Sequence, residues 1–593
     1  MNDVLNATRD RLKRWEWLSA SPAMLLWAAV VGVLGALATV LFHEGIFLVQ
    51  RLCTGGSGSI SRVIGGLPWY GRIVFAVLGG VVAGLLLQWA AKIKAGSNSD
   101  YMEAVAIGDG RLSIRQGLLR SLSSLSSVAS GGSIGREGAM VHLASLCASA
   151  IGRFAYFDTA RLRLLVACGA AAGVAAAYGS PIAGALFIAE IVLGTMAIQS
   201  VGPLLIAAAV SHITMRWTGH YHLTYPVADS GTALSVDHVL PFVALGLVSG
   251  AAAPQFLRLL DLARKGFRGL NLPLSLRLGL GGLFLGVLLV FMPTMAGNGY
   301  SVIVSLLHDP WAWQAIALVL VCKVAATMFT VGSGAVGGVF TPTIFVGAAF
   351  GSLFGQAVLL IWPGLAISPH LFTLVGMGAF LGAATGAPLM AILMIFEMTL
   401  SYQVVVPLML ACVLAYFMSR TIAEVAMYNV TLARERDIVL RRRLRNTQLA
   451  ELVRPAQTVI QTTAPLKEAA RMFLEYPVKY LYVVNERNVF QGVIAQQDLT
   501  SMLLVQGDVH EKKAGDVLRL DFVKPLHPDM GLDEAQDQFI NFQGERLPVV
   551  SRGDEPVLLG VVYKSSLLEK YSALKKSLDQ SGEALLDTSS RKS

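Results

Sequence analysis

A single acid, Glu137, sits in Gly131-Gly-Ser-Ile-Gly135-Arg-Glu-Gly-Ala-Met140, just ahead of an apolar run of helical character. The glycines let the backbone turn tightly and present N–H groups where a helix begins. A helix N-terminus carries partial positive charge, so it holds an anion without a full cation. A carboxylate placed there competes with a mobile anion for the same position, and protonation releases it. The chemistry on offer is a gate with a built-in proton dependence. Two readings are open for a lone acid there: this gate, or an N-terminal helix acid paired with Arg136. An ionisable group inside apolar sequence favours the gate. A second segment, Gly332-Ser-Gly-Ala-Val-Gly-Gly-Val-Phe-Thr-Pro342, offers free amides at Val339 and Phe340 ahead of another helix, or is a flexible loop.

The elements that position these residues occur twice. Gly169-Ala-Ala-Ala-Gly-Val-Ala-Ala-Ala-Tyr-Gly-Ser-Pro181…Glu190 is matched by Gly376-Met-Gly-Ala-Phe-Leu-Gly-Ala-Ala-Thr-Gly-Ala-Pro388…Glu397, offset by 207 residues (376 − 169). Gly135-Arg-Glu-Gly138 and Gly338-Val-Phe-Thr-Pro342 are offset by 203 (338 − 135), and Ala95-Gly-Ser-Asn98 and Ala296-Gly-Asn-Gly299 by 201 (296 − 95). A near-constant offset means two homologous halves. Duplicated halves with Gly/Pro-interrupted apolar segments at matching positions place a transport site near the bilayer midplane.

Composition agrees. The chain is 54% hydrophobic and 14% charged, with a mean hydropathy of +0.60, which excludes an ordinary soluble protein. Several apolar stretches are shorter than the ~20 residues that cross a bilayer, or are split by Gly or Pro. Tilted and partial helices are therefore expected. The first stretch, 23–49, reads as a span, too long for the core of a cleavable signal. Basic residues flank the apolar region: Arg9, Arg11, Lys13 and Arg14 before it, and Arg434, Arg436, Arg441, Arg442, Arg443 and Arg445 after it. The positive-inside rule makes both flanks cytoplasmic. These clusters abut spans and lack interleaved aromatics, so no nucleic-acid partner is expected. Five scattered cysteines without CxxC argue against disulfides and metal. A hydrolase at Ser333 would need a base, yet His43-Glu44 is not HExxH and no histidine stands in motif relation to Ser333, so no enzyme is expected.

From Val453 the sequence turns soluble-like and repeats: Val459-Ile460…Leu466…Tyr480-Leu-Tyr-Val-Val…Gly492-Val-Ile…Asp498, then Val523…Leu532…Arg546-Leu-Pro-Val-Val…Gly560-Val-Val…Ser566. Each copy reads as strand, amphipathic helix, strand, strand, helix. The expected division is 1–22 cytoplasmic, 23–440 transmembrane (halves 23–215 and 235–440), 453–512 and 513–573 as the two copies, and 574–593 a disordered tail.

Gly135-Arg-Glu-Gly138, Gly338-Val-Phe-Thr-Pro342 and the Gly-Ser-Pro and Gly-Ala-Pro helices resemble the ClC chloride channel and transporter family. The tail resembles the CBS pair some members append. The wording of Asp100-Tyr-Met-Glu103, Gly135–Met140 and Ala183-Gly-Ala-Leu-Phe-Ile-Ala-Glu190 is most similar to the bacterial B-type proteins, those named as voltage-gated channels. The resemblance implies an all-α membrane domain of inverted repeats, a cytoplasmic α/β CBS pair, a homodimer in the lipid bilayer, and one pore per subunit. Glu137 then matches the gating glutamate. Ser97, Val339, Phe340 and Tyr428 match the anion-binding groups, with Tyr428 opening the last helix. The family's Gly-Ser-Gly-Ile-Pro appears as Gly96-Ser-Asn-Ser-Asp100, so Ser99 is a second hydroxyl candidate and selectivity for chloride, fluoride or nitrate stays open. Exchangers of the family often carry paired glutamates where this chain has Glu190-Ile191. Isoleucine carries no proton, and Glu190 itself reads as a proton acceptor by another route or as a buried acid bonded to helix ends. The implied function is chloride permeation across a bacterial inner membrane, channel-like and gated by Glu137, an electrical shunt in acid resistance. A weakly coupled chloride/proton antiporter is the alternative. Chloride is the expected bound ligand. Asp498 matches the ribose-binding aspartate of CBS pairs, which leaves adenosine nucleotide binding or simple dimerisation open.

Overall fold

A computed structural model describes residues 21–588 apart from 57, 94–99, 107, 222, 228–238, 366, 423–426, 429–439, 441–443, 446, 507–511, 521–522, 541 and 543. The chain divides into two compact units, Met1–Leu432 and Ala433–Ser593.

The first unit is helical. Its elements in order are α1 Ser21–Thr54, α2 Ile60–Gly65, α3 Trp69–Lys92, α4 Tyr101–Ala106, α5 Ile114–Ala129, α6 Glu137–Phe154, α7 Thr159–Tyr178, α8 Pro181–Phe187, α9 Ile198–Trp217, α10 Val239–Gly269, α11 Leu274–Phe291, α12 Tyr300–His308, α13 Trp313–Ser333, α14 Phe340–Ile361, α15 Pro369–Thr385, α16 Pro388–Thr399 and α17 Val405–Ile422. Among the described residues, nine helices are long and apolar enough to cross a bilayer, while α15, α16 and the α8 segment are apolar but shorter. Long apolar side chains such as Leu41, Phe291, Val321 and Leu360 stay exposed on the helix exteriors. That is where lipid replaces water as solvent.

The two halves meet through backbone. Gly80 and Gly84 on α3 lie against Leu278 and Ser275 of α11, and Gly282 and Gly286 on α11 lie against Ala76 and Ile73 of α3. A Gly-xxx-Gly pair thus stands on each of two mirrored helices. In lipid, close van der Waals approach replaces hydrophobic burial as the main attraction, and small residues permit it.

The repeated Gly-Ser-Pro and Gly-Ala-Pro motifs now have a physical cause. α7 ends at Gly179 (φ 70°) and α15 at Gly386 (φ 74°), both left-handed. A proline then opens the next helix, Pro181 for α8 and Pro388 for α16. Glycine tolerates the left-handed turn and proline loses nothing at a first helical position. The acid that follows each proline closes the arrangement. Ile182 N–H donates to Glu397 Oε1 (3.0 Å) and Ala183 N–H to Glu397 Oε2 (2.8 Å). Met390 N–H donates to Glu190 Oε2 (3.0 Å). Glu190 lies in a π-helical turn, Ile188–Leu193, continuing α8. Each mirrored helix therefore supplies the acid that caps the other's positive end. For Glu190 this is the helix-end reading.

α10 is apolar over 239–253 and continues to Gly269 past Arg258, Asp261, Arg264 and Lys265; Lys265 pairs with Asp261 one turn earlier (3.1 Å). Two expectations are corrected. The membrane unit ends before 440: Leu440 and Leu444 are buried with Val549 and Val561 of the second unit, because apolar side chains follow the nearest available core. The tail is not structureless from 574. The final helix, described below, runs to Thr588; Leu574 still packs on the core, and residues 564–588 contain no proline and many good helix formers.

The second unit contains β1 Val459–Gln461, α18 Leu466–Glu475, β2 Tyr480–Val484, β3 Phe490–Ala495, α19 Gln496–Gln506, α20 Leu532–Ile540, β4 Arg546–Val550, β5 Leu558–Tyr563 and α21 Lys564–Thr588. β1 pairs parallel to β2, which pairs antiparallel to β3. In the second copy β4 pairs antiparallel to β5, and the parallel partner shrinks to one bridge, Leu526 with Val549. The register shifts between Val483 and Val484 in one hairpin and between Val549 and Val550 in the other. The same irregularity at the same place marks a true repeat.

Substituting Glu190→Gln or Glu397→Gln keeps an acceptor oxygen but removes the charge. Each should cost about 1–2 kcal/mol of stability, measured as a lower melting temperature in detergent. Chloride flux and its pH dependence should be unchanged in Glu190→Gln; a flattened pH profile there would instead make Glu190 a proton acceptor.

Candidate functional site

The mirrored loops ahead of α6 and α14 touch each other. Gly135 N–H donates to Gly338 O (2.7 Å) and Gly338 N–H donates to Gly135 O (2.9 Å). Neither loop has room for side chains here. A Cβ on Gly138 would meet the Gly338 amide, and one on Gly337 would meet Ile134 and the Gly135 carbonyl. Ser133 adds two ties to α13: its N–H donates to Thr330 Oγ1 (3.1 Å), and its hydroxyl lies 3.2 Å from Thr327 Oγ1.

This clasp sets two helix N-termini side by side. Met140 N–H is the first α6 amide to find a helical acceptor, Arg136 O, and Thr343 N–H the first in α14, at Val339 O. The amides before them, including those of Val339 and Phe340, have no partner within their own helix. Each terminus is equivalent to roughly half a positive charge. Both line a cavity of about 260 Å³, together with Tyr428, Phe187, Met427 and Tyr178. A water takes about 30 Å³ of liquid volume, so the cavity admits an ion with company. Arg120 on α5 and Arg264 on α10 also line it, as does Asp100. Asp100 Oδ1 accepts from Met102 N–H (3.1 Å), which caps α4. Aromatic rings fix the wall: Phe187 stands edge-on to both Phe340 (5.9 Å) and Tyr428 (5.7 Å). Tyr428 is held in place by its neighbour, Met427 N–H, donating to Ala384 O (3.1 Å).

A second cavity, about 410 Å³, is lined by Arg136, His43, Gln50, Tyr300 and Thr341 among others. Two residues line both cavities: Glu137 and Tyr178. Glu137 is buried, at 6% exposure. It forms no ion pair with Arg136 among the described residues; its Oε1 accepts from Thr341 Oγ1 at the start of α14. Oε2 has no hydrogen-bond partner and occupies the space where a side chain on Gly135 would stand. Glu137 thus stands in the walls of both cavities.

Glu137, Val339, Phe340 and Tyr428 are brought together as the sequence suggests. Ser97 and its alternative Ser99 lie outside the described residues, as does the helix expected after Tyr428. Asp498 is in the second unit, third in α19, where its Oδ1 accepts from Arg519 Nη2 (2.8 Å) and its Oδ2 is buried without a partner. Ser566 holds the same place in α21. Tyr178, Thr341, Arg120 and Arg264 were not anticipated. Tyr178 and Thr341 stand inside repeated motifs where the other half has Thr385 and Gly138; that difference between copies was the available signal.

Gly135→Ala should evict the Glu137 carboxylate. Overpacking of this kind costs about 1–3 kcal/mol, a 5- to 150-fold shift away from the docked position. Anion flux through reconstituted protein at neutral pH should rise, and its response to acid should shrink.

Residues 79–420 match the family model for the voltage gated chloride channel, and residues 449–505 that for the CBS domain. The chain is 49% identical over 423 residues to the putative chloride channel protein ClcB-like of Ralstonia nicotianae, covering 70% of this chain and 98% of that protein. It is 41% identical over 409 residues to the voltage-gated ClC-type chloride channel ClcB of Escherichia coli O9:H4, covering 68% and 97%. Among solved structures, a slow cyanobacterial Cl⁻/H⁺ antiporter superposes with a TM-score of 0.61 at 23% identity, over 70% of this chain and 98% of that one, which is a likeness of fold. Two mirrored halves, paired helix ends and a glutamate lining two cavities agree with these matches: the chain is a multi-pass membrane protein of the ClC chloride channel and transporter family, with a C-terminal CBS domain.

Proposed function

We propose that this protein conducts chloride across the bacterial inner membrane, as a homodimer with cytoplasmic termini, and that protonation of Glu137 opens its pathway. The observation carrying this reading is that Glu137 lines both cavities, beside the helix end that Val339 and Phe340 form. Ionised and docked, it occupies the anion's place beside the amides of Val339 and Phe340. Protonated, it loses its attraction for the positive helix ends and yields to chloride. Tyr428, in the wall of the same cavity, completes the anion's shell, and Ser97 is assigned to it by the family resemblance alone. Ile191, where exchangers carry an inner acid, removes a proton relay, so conduction is channel-like. One relative is named a putative chloride channel protein and another a voltage-gated ClC-type chloride channel, which supports the reading. In acid, such a pathway balances charge as protons are moved, an electrical shunt.

Chloride and proton fluxes measured together in liposomes at a set potential test this. Chloride flux should rise as pH falls, with no fixed proton ratio, and Glu137→Gln should be open at every pH. Proton uptake driven by chloride at constant stoichiometry would establish the antiporter. Fluoride or nitrate flux exceeding chloride would change the ion. Unaltered gating in Glu137→Gln would remove Glu137 from the mechanism.

The second unit is proposed to bind an adenosine nucleotide at Asp498, whose unpartnered buried Oδ2 supports the reading. Calorimetric titration of full-length protein with ATP and AMP should give saturable heat that Asp498→Ala abolishes. An absence of saturable heat leaves the CBS pair a dimerising module.

A further inference from the structure

Tyr178 and Thr341 connect the gate to the rest of the scaffold. Thr341 Oγ1 donates to Glu137 Oε1. A hydroxyl has one proton, so the contact between Tyr178 Oη and Thr341 Oγ1 (3.1 Å) must run with Tyr178 as donor. The three groups form a directional chain: Tyr178 O–H to Thr341 O–H to the carboxylate. Each bond polarises the next. All three members are buried.

The chain is firmly mounted. Tyr178 is the last residue of α7, and its carbonyl accepts from Ser180 Oγ (3.3 Å) and Thr224 Oγ1 (3.1 Å). Its ring packs on Phe340 at 5.2 Å. Thr341 lies in the first turn of α14, whose start is fixed by the Gly135–Gly338 clasp. Other charged or titratable groups face the same place. Arg136 flanks the carboxylate on its own helix, while Tyr225 and Tyr428 approach from the segments after α9 and α17. His43 on α1 and Arg120 on α5 line the two cavities. Among the described residues, Thr341 Oγ1 donates to the carboxylate at hydrogen-bond distance, and the Tyr178 hydroxyl stands near enough to act on it directly as well, the weaker of the two.

We infer that Thr341, backed by Tyr178, is a latch that holds the Glu137 gate shut and sets the acidity at which it opens. This rests on Glu137 being the gate. A donated hydrogen bond stabilises the ionised, docked carboxylate and offers nothing comparable to the released, protonated one. Removing the donor makes protonation and release easier, so opening moves toward neutral pH. Tyr178 acts through Thr341 and, more weakly, on the carboxylate itself, so its loss moves opening in the same direction but by less.

The test is the pH of half-maximal chloride efflux from liposomes for four variants, with gel-filtration profiles as a check of folding. Thr341→Val removes the hydroxyl at equal volume and should shift the midpoint upward by about one pH unit, the size expected for one hydrogen bond to a charged group. Thr341→Ser retains the hydroxyl and should keep the wild-type midpoint. Tyr178→Phe should give a smaller upward shift. Glu137→Gln should show no midpoint. A folded Thr341→Val with the wild-type midpoint, or equal shifts in the valine and serine variants, overturns the latch. A wild-type midpoint in Glu137→Gln overturns the gate itself.

Discussion

Two backbone hydrogen bonds between Gly135 and Gly338 hold the membrane unit's centre. They join loops from opposite halves and so fix two helix N-termini against one cavity. Side chains could not do this, because a Cβ at Gly138 or Gly337 collides with the facing loop and one at Gly135 takes the space of the Glu137 carboxylate. The glycines give contact distance between backbones, and contact distance brings two partial charges to bear on one ion. Together the ends amount to about one positive charge, enough to attract a halide and diffuse enough to let it leave.

The same economy of backbone appears further out. Gly80, Gly84, Gly282 and Gly286 let α3 and α11 touch along their lengths. Glu190 and Glu397 cap each other's helices. Lys323, fully buried, donates to the carbonyls of Met295 (3.3 Å) and Gly297 (2.7 Å), pinning a repeated loop. Each of these polar side chains satisfies a broken helix or loop that lipid could not. Short helices at membrane depth are stable because the other half finishes their hydrogen bonding.

How much of this could be read from the sequence follows from the kind of interaction. The constant offsets announced the two halves, and the Gly-rich helix starts announced Glu137, Val339 and Phe340, because those features are local. The spacing from Pro181 to Glu190 and from Pro388 to Glu397 was visible, but their cross-capping is a contact between residues some two hundred positions apart. The length of α10 was hidden because its second part is charged and amphipathic, not apolar. The boundary at 440 was set too late, since the apolar character of Leu440 and Leu444 does not say which core will take them. Thr341 and Tyr178 stood inside repeated motifs but differed between the copies, and a hydroxyl is informative only when its partner's position is known.

Where the two copies agree, they build; where they differ, they act. Gly179 and Gly386, Pro181 and Pro388, and Glu190 and Glu397 match, and all six serve the scaffold. Glu137 faces Phe340 across the repeat, Tyr178 corresponds to Thr385, and Thr341 to Gly138. A perfectly duplicated site would place two acids together, whose mutual repulsion would hold at least one protonated. Two phenylalanines there would leave a cradle with no switch. One acid against one apolar ring, with a hydroxyl pair on one side only, gives a single charge that can be held or released. The symmetry supplies a place for an anion, and the departure from symmetry decides when it is vacant.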